Sequence, residues 1–168
     1  MITSVAHWVD TLYFGGGTPS VLTQEELGRI IRAVEENFNL APEAEITLEA
    51  NPDDLHSEKL NELAASPINR LSIGLQSFDE EDLRWIRKPQ PQCGTGRGLR
   101  TRGTARRALK MLLLILFTEF PGAIFQHWQR QLKRAMDLKV PHILAYALTV
   151  ENETVLENWI RKGHGSTP

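Results

Sequence analysis

An α/β fold built on a parallel sheet is the architecture that this sequence predicts, and three observations predict it. Strand-like and helix-like stretches alternate three times between Val9 and Ile86. The connections between them have ordinary lengths, which favours parallel strands joined by right-handed crossovers. The residues best suited to ligand binding, a triple-glycine loop, Asn51-Pro52-Asp53 and Gln76-Ser77, all fall at the carboxyl ends of predicted strands. Folds of this class bind their ligands there.

The first strand runs from Val9 to Phe14, short and rich in strand formers, straight into Gly15-Gly16-Gly17-Thr18-Pro19-Ser20. Thr23 then opens a helix, because Glu26 three residues on completes a capping box. Leu27, Ile30, Ile31, Val34 and Phe38 recur at helical spacing, and Asn39 to Pro42 ends the helix. Glu45 to Ala50 is the second strand, closed by the turn Asn51-Pro52-Asp53. Ser57 caps a short helix that buries Leu60 and Leu63 and stops at Ser66-Pro67. Asn69 to Gln76 is the third strand, and Asp79 begins a helix carrying Leu83 and Ile86.

Beyond Arg87 the composition changes. Arg84 to Lys110 holds nine basic residues and no acidic one, with neither a helical nor a strand period. This stretch predicts a loop or disorder. Met111 to Phe117 is a continuous apolar run, a buried strand or part of a helix. Order returns with a helix over Trp128 to Leu138, its apolar side formed by Trp128, Leu132, Ala135 and Met136. A strand over His142 to Val150, a short helix over Val155 to Ile160 and a tail from Gly163 complete the chain. Three segments follow: 1–87 as β/α units, 88–125 as an aberrant basic and apolar insert, and 126–168 as a later β/α unit with its tail.

A chain of 168 residues can bury one real core, and a net charge of −2 gives no general affinity for nucleic acid. The basic stretch lacks the interleaved aromatics that stack on bases, so no nucleic-acid partner is predicted. No run is long enough to span a bilayer, and the expected location is cytoplasmic. The sole cysteine, Cys93, excludes an internal disulfide and any iron–sulfur cluster held by this sequence alone. The five histidines have no metal-binding spacing.

The glycine loop lets backbone N–H groups approach a ligand, with the following helix adding its positive end. It lacks the Lys-Ser/Thr ending of a phosphate loop. A ligand-free turn is the competing reading. Glu49 and Gln76, at strand ends, can bond to a ligand's amine or hydroxyls, or remain solvated.

Together the motifs are more specific than any one of them. The series Thr11-Leu12-Tyr13-Phe14-Gly15-Gly16-Gly17-Thr18-Pro19-Ser20, Thr47-Leu48-Glu49-Ala50-Asn51-Pro52-Asp53 and Asn69-Arg70-Leu71-Ser72-Ile73-Gly74-Leu75-Gln76-Ser77-Phe78 resembles the oxygen-independent coproporphyrinogen III oxidase-like family of radical S-adenosylmethionine (radical SAM) proteins. With Ala145-Tyr146-Ala147-Leu148-Thr149-Val150-Glu151, it is most similar to the heme-chaperone branch. The resemblance covers roughly 9–86 and 128–151. It implies a partial parallel (β/α) barrel of the radical SAM type, truncated at the N-terminus and irregular around 88–125. It implies S-adenosylmethionine on Gly15, Gly16, Gly17, Thr18, Glu49 and Gln76, with Ala145, Tyr146 and Ala147 beside the adenine. It further implies a [4Fe–4S] cluster and a heme or porphyrin partner in the parent protein.

The sequence departs from the family in three places. The Cys-x₃-Cys-x₂-Cys loop is missing, so this chain by itself is expected to be inactive. Ile115 stands where the family has a ribose-binding Asp, and Glu119 where it has Gly. Matching flanks around a non-matching middle suggest a shifted reading frame over about 88–125, with a splice difference or true divergence as the alternative. An open apolar sheet edge predicts poor solubility. The competing reading is a cluster-free β/α module that binds a nucleotide or a protein.

Overall fold

The computed structural model describes residues 8–87, 111–117 and 125–163, the strand 111–117 by its backbone alone. Five strands form one parallel sheet in chain order: β1 (Trp8–Phe14), β2 (Asn39–Ala50), β3 (Arg70–Gln76), β4 (Met111–Phe117) and β5 (His142–Tyr146). The helices are α1 (Gln24–Asn37), α2 (Ser57–Ala64), α3 (Glu80–Arg87), α4 (Phe125–Asp137) and α5 (Val155–Arg161). This open α/β arrangement is the expected partial barrel.

Alternation along the strands decides which face is which. Ile46, Leu48 and Ala50 of β2, with Leu71 and Ile73 of β3, join Leu27 and Ile31 of α1 and Leu60 and Leu63 of α2 in one buried cluster. Leu48, Leu60 and Leu71 are fully buried. The intervening residues, Glu45, Thr47 and Glu49 of β2 and Arg70, Ser72, Gly74 and Gln76 of β3, occupy the other face, which is polar. A sheet with helices on one face and polar groups on the other is half of a barrel wall.

The capping box at α1 is present in full: Thr23 Oγ1 accepts from the Glu26 N–H at 3.2 Å, and Glu26 accepts from the Thr23 N–H at 2.8 Å. The apolar run 111–117 is resolved as a strand, central between β3 and β5. Other boundaries differ from expectation. Strand β2 begins at Asn39, not Glu45, and pairs with Trp8. Its register against β1 slips between Val9 and Thr11, leaving residues 41–44 unpaired to β1. Pro42, which has no N–H to give a ladder, lies in that slip.

The cap of α2 is His56 rather than Ser57, with Nδ1 accepting from the Lys59 N–H at 3.3 Å. Strand β5 stops at Tyr146, not Val150, because its last partner is Phe117 at the end of β4. On α4 the expected apolar side is partly wrong. Met136 is 63% exposed, and Gln131 is buried beside Ala135 instead. The basic stretch, Cys93, Glu119 and most of the segment 88–125 lie outside the described residues, as does the tail from residue 164.

Candidate functional site

A cleft of about 210 Å³ opens at the carboxyl ends of the strands. Each wall comes from the residue where a strand gives way to its loop. After β1 the chain turns through Gly16 at φ 77° and Gly17 at φ 64°, a left-handed pair that a side chain would oppose. The turn brings Gly17, Thr18 and Pro19 to the cleft. Ser20 Oγ donates to Asp54 Oδ2 at 2.6 Å, tying this loop to the one after β2. The buried Lys59 amine donates to the Leu22 carbonyl and holds the loop from below.

Glu49 is the best-connected side chain of the cleft. Its carboxylate accepts from the Tyr13 hydroxyl at 2.7 Å and from the Gly16 N–H at 3.2 Å. The glycine loop and the β2 carboxylate are therefore one unit, joined by bonds to a charged group, each worth roughly 1.5–3 kcal/mol. The unused lone pairs of Glu49 are available to a cation or an N–H donor in the cleft. Burial raises the Tyr13 phenol above its usual 10.0; contact with the Ser72 hydroxyl works against the shift, and Glu49 adds to it. Burial, then the charge of Glu49, raises the Tyr146 phenol as well.

Ser72 is 1% exposed, and its Oγ makes no full hydrogen bond, although it lines the cleft. A buried hydroxyl short of a full hydrogen bond is costly. Gln76 closes the wall from β3, and Tyr146 from β5. The polar face continues away from the cleft, where Arg70 donates to Glu45 Oε1 at 2.7 Å and lies 2.8 Å from His142 Nδ1.

Of the residues expected at a site, Gly17, Thr18, Glu49, Gln76 and Tyr146 line this cleft together. Gly16 reaches it through the bond to Glu49, and Gly15 lies against the Tyr13 ring. Ala145 and Ala147 are exposed and do not line it. Tyr13, Ser72 and Gly74 belong to the site without having been singled out. The signal for Ser72 was available: a serine between Leu71 and Ile73, in phase with Gln76.

The sequence pattern of the Radical SAM superfamily matches residues 1–112. The chain belongs to that superfamily. The heme chaperone HemW of Lactococcus lactis is 33% identical over 153 residues, covering 91% of this chain and 40% of that protein. The mitochondrial radical S-adenosyl methionine domain-containing protein 1 of Danio rerio is 32% identical over 162 residues, covering 95% of this chain and 36% of that one. The solved structure of coproporphyrinogen III oxidase (HemN) from Escherichia coli, a radical SAM enzyme, superposes with a TM-score of 0.71 at 26% identity. That superposition covers 84% of this chain and 32% of HemN. The chain spans 36–40% of the length of these two curated relatives.

The superfamily implies two groups, and the residues fit them unequally. The cleft offers groups suited to S-adenosylmethionine, the Glu49 carboxylate for an amine and the buried Ser72 hydroxyl for a ligand hydroxyl. The sequence has one cysteine, Cys93, whereas a [4Fe–4S] cluster takes three or four thiolates. Among the described residues no group of three or more His, Cys, Asp or Glu can hold a metal ion. Among the same residues no helix is long and apolar enough to cross a membrane.

Proposed function

We propose that this chain forms the S-adenosylmethionine-binding wall of a radical SAM protein of heme metabolism, with a role like that of a heme chaperone. The observation that carries the reading is one cleft at the carboxyl ends of parallel strands, bounded by the glycine loop, Glu49, Gln76 and Tyr146. Glu49, already oriented by Gly16 and Tyr13, accepts from the methionyl amine. The backbone of Gly17 and Thr18 approaches the same end of the ligand. Ser72 and Gln76 supply the polar floor for its hydroxyls, and Tyr146 provides an aromatic side. When bound, S-adenosylmethionine supplies a sulfonium whose carbon–sulfur bond breaks on one-electron reduction. By itself the chain binds the ligand without cleaving it, for want of thiolates to hold a cluster.

Heme or a porphyrin is the proposed partner of the whole protein, on the likeness to HemW. Between chaperone and oxidase roles the chaperone is favoured, since the curated relatives at 33% identity include HemW proteins.

Calorimetric titration with S-adenosylmethionine tests the reading. Saturable binding is expected, weakened about tenfold or more by Glu49→Gln, which removes the charge facing the amine. Equal affinity in parent and variant contradicts it. Tight binding of adenosine, unaffected by Glu49→Gln, favours a general nucleotide-binding module instead.

A further inference from the structure

Gln76 stands in a conformation that its residue type resists. Its φ is 62°, in the left-handed region. The Ser77 N–H donates to the Leu75 carbonyl at 2.8 Å, closing a three-residue turn about Gln76, a γ-turn of the rare and strained hand. The ladder to β4 slips at the same point, from Gly74 opposite Ile115 to Gln76 opposite Leu116. A Cβ on Gly74 would stand 2.7 Å from Gln76 Nε2, so the carboxamide is folded back across Gly74, and both residues line the cleft. Such strain persists only where the surroundings over-determine it.

The next residues show what does so. Ser77 is 1% exposed and turned away from the cleft. Its hydroxyl donates to Asp82 Oδ2 and accepts from the Asp79 N–H at 2.9 Å. Asp82 Oδ2 also lies 2.8 Å from His127 Nε2. Gln131 Oε1 accepts from the Phe78 N–H at 2.8 Å, while Arg134 donates to the Phe78 carbonyl at 3.0 Å and sets its guanidinium 5.0 Å from the Phe78 ring. Both backbone groups of Phe78, two residues past the strained turn, are thus fixed by one helix.

We propose that this buried cluster, Ser77, Asp82, His127 and Gln131, is a positioning device that holds Gln76 in its strained turn and so aims the carboxamide into the cleft. None of the four lines the cleft. They act through Gln76. What the carboxamide meets in the cleft rests on the reading of that cleft as an S-adenosylmethionine site; the holding of the turn does not.

The two parts separate in experiment. In the parent chain Gln76→Gly removes the strain and should shift the urea midpoint upward. In the Ser77→Ala or Asp82→Asn background the turn has relaxed, and the same substitution should give no upward shift. Ser77→Thr, which keeps the hydroxyl, should restore it. An equal upward shift from Gln76→Gly in all backgrounds overturns the proposal. Should Asp82→Asn not fold, the Ser77 pair decides alone. In titrations with S-adenosylmethionine, Ser77→Ala should weaken binding in the parent and have no further effect on Gln76→Ala. Equal weakening in both overturns the aiming role. If S-adenosylmethionine does not bind the parent chain at all, the cleft reading fails, and the urea arm still decides whether the cluster holds the turn.

Discussion

Between β1 and β3 the helices are sealed to the sheet by twelve buried residues of one apolar cluster, from Phe14 to Ile73. Around α4 and β5 the corresponding cluster has, among the described side chains, two buried members, Leu75 and Ala135, with Phe78, Trp128, Leu138, Val140 and Ile143 partly buried against them, and α5 buries none. Polar groups also dock the second region: Gln131 and Arg134 on the Phe78 backbone, and His127 on Asp82. The cleft draws on both regions, with Glu49 on the apolar-sealed side and Tyr146 on the other. The first wall rests on apolar burial, and the second adds to its apolar contacts hydrogen bonds that are individually modest but costly to leave half-made.

The contrast has measurable consequences. Leu48→Ala, at the centre of the first region, should cost about 2–5 kcal/mol in urea unfolding, the range for a fully buried leucine. Met136→Ala in the second region should change stability by less than about 0.5 kcal/mol, because that side chain is exposed. Comparable losses in the two would contradict the division.

Gln131→Leu should cost about 1–3 kcal/mol, since it leaves the Phe78 N–H and the Asp82 carboxylate short of a partner. A neutral result in the same unfolding measurement would mean that α4 is held by apolar contact after all. Thr23→Ala should cost about 1 kcal/mol through loss of the cap on α1.

Glu26 sharpens that last test. The Thr23 N–H, then the Thr23 hydroxyl, hold its carboxyl below the usual 4.5. A lowered acid gives stability that is present above 4.5 and lost as pH falls through the lowered value. The Thr23→Ala difference should therefore shrink in acid titrations of unfolding. The smallest effect concerns the two tyrosines, both raised above 10.0. Their stabilising contribution is full below 10.0 and lost as pH rises through the raised values. Absorbance titration should show both phenolates forming with midpoints above the free-tyrosine value, and Tyr13→Phe should leave the Tyr146 step alone.

The same contrast explains how much was legible in the sequence. Period located the strands and helices of the first region, because burial there largely follows the apolar pattern: Leu27 and Ile31 on α1, Leu60 and Leu63 on α2, although Ile30 and Phe38 of the same predicted face are exposed. The glycine loop, Glu49 and Gln76 were legible because strand ends mark the ligand face. What pattern did not reveal is polar. Gln131 takes the buried place expected for Met136 because it bonds to a backbone N–H 53 residues away, a pairing no local period encodes. Tyr13 was read as part of a strand, yet its hydroxyl reaches across to β2. Strand β2 was read short because Pro42 looks like a terminator, although the proline sits where the ladder slips. The left-handed turn at Gln76 has no signature in a residue type that normally avoids it.

Amide hydrogen exchange with and without S-adenosylmethionine tests the central claim, that the cleft at the strand ends is the ligand site. Slowed exchange is predicted at Gly16, Gly17 and Thr18 and around Gln76, with no change over Val155–Arg161, which is remote from the cleft lining. Unchanged exchange at the glycine loop in the presence of saturating ligand, or protection confined to other elements, would contradict it.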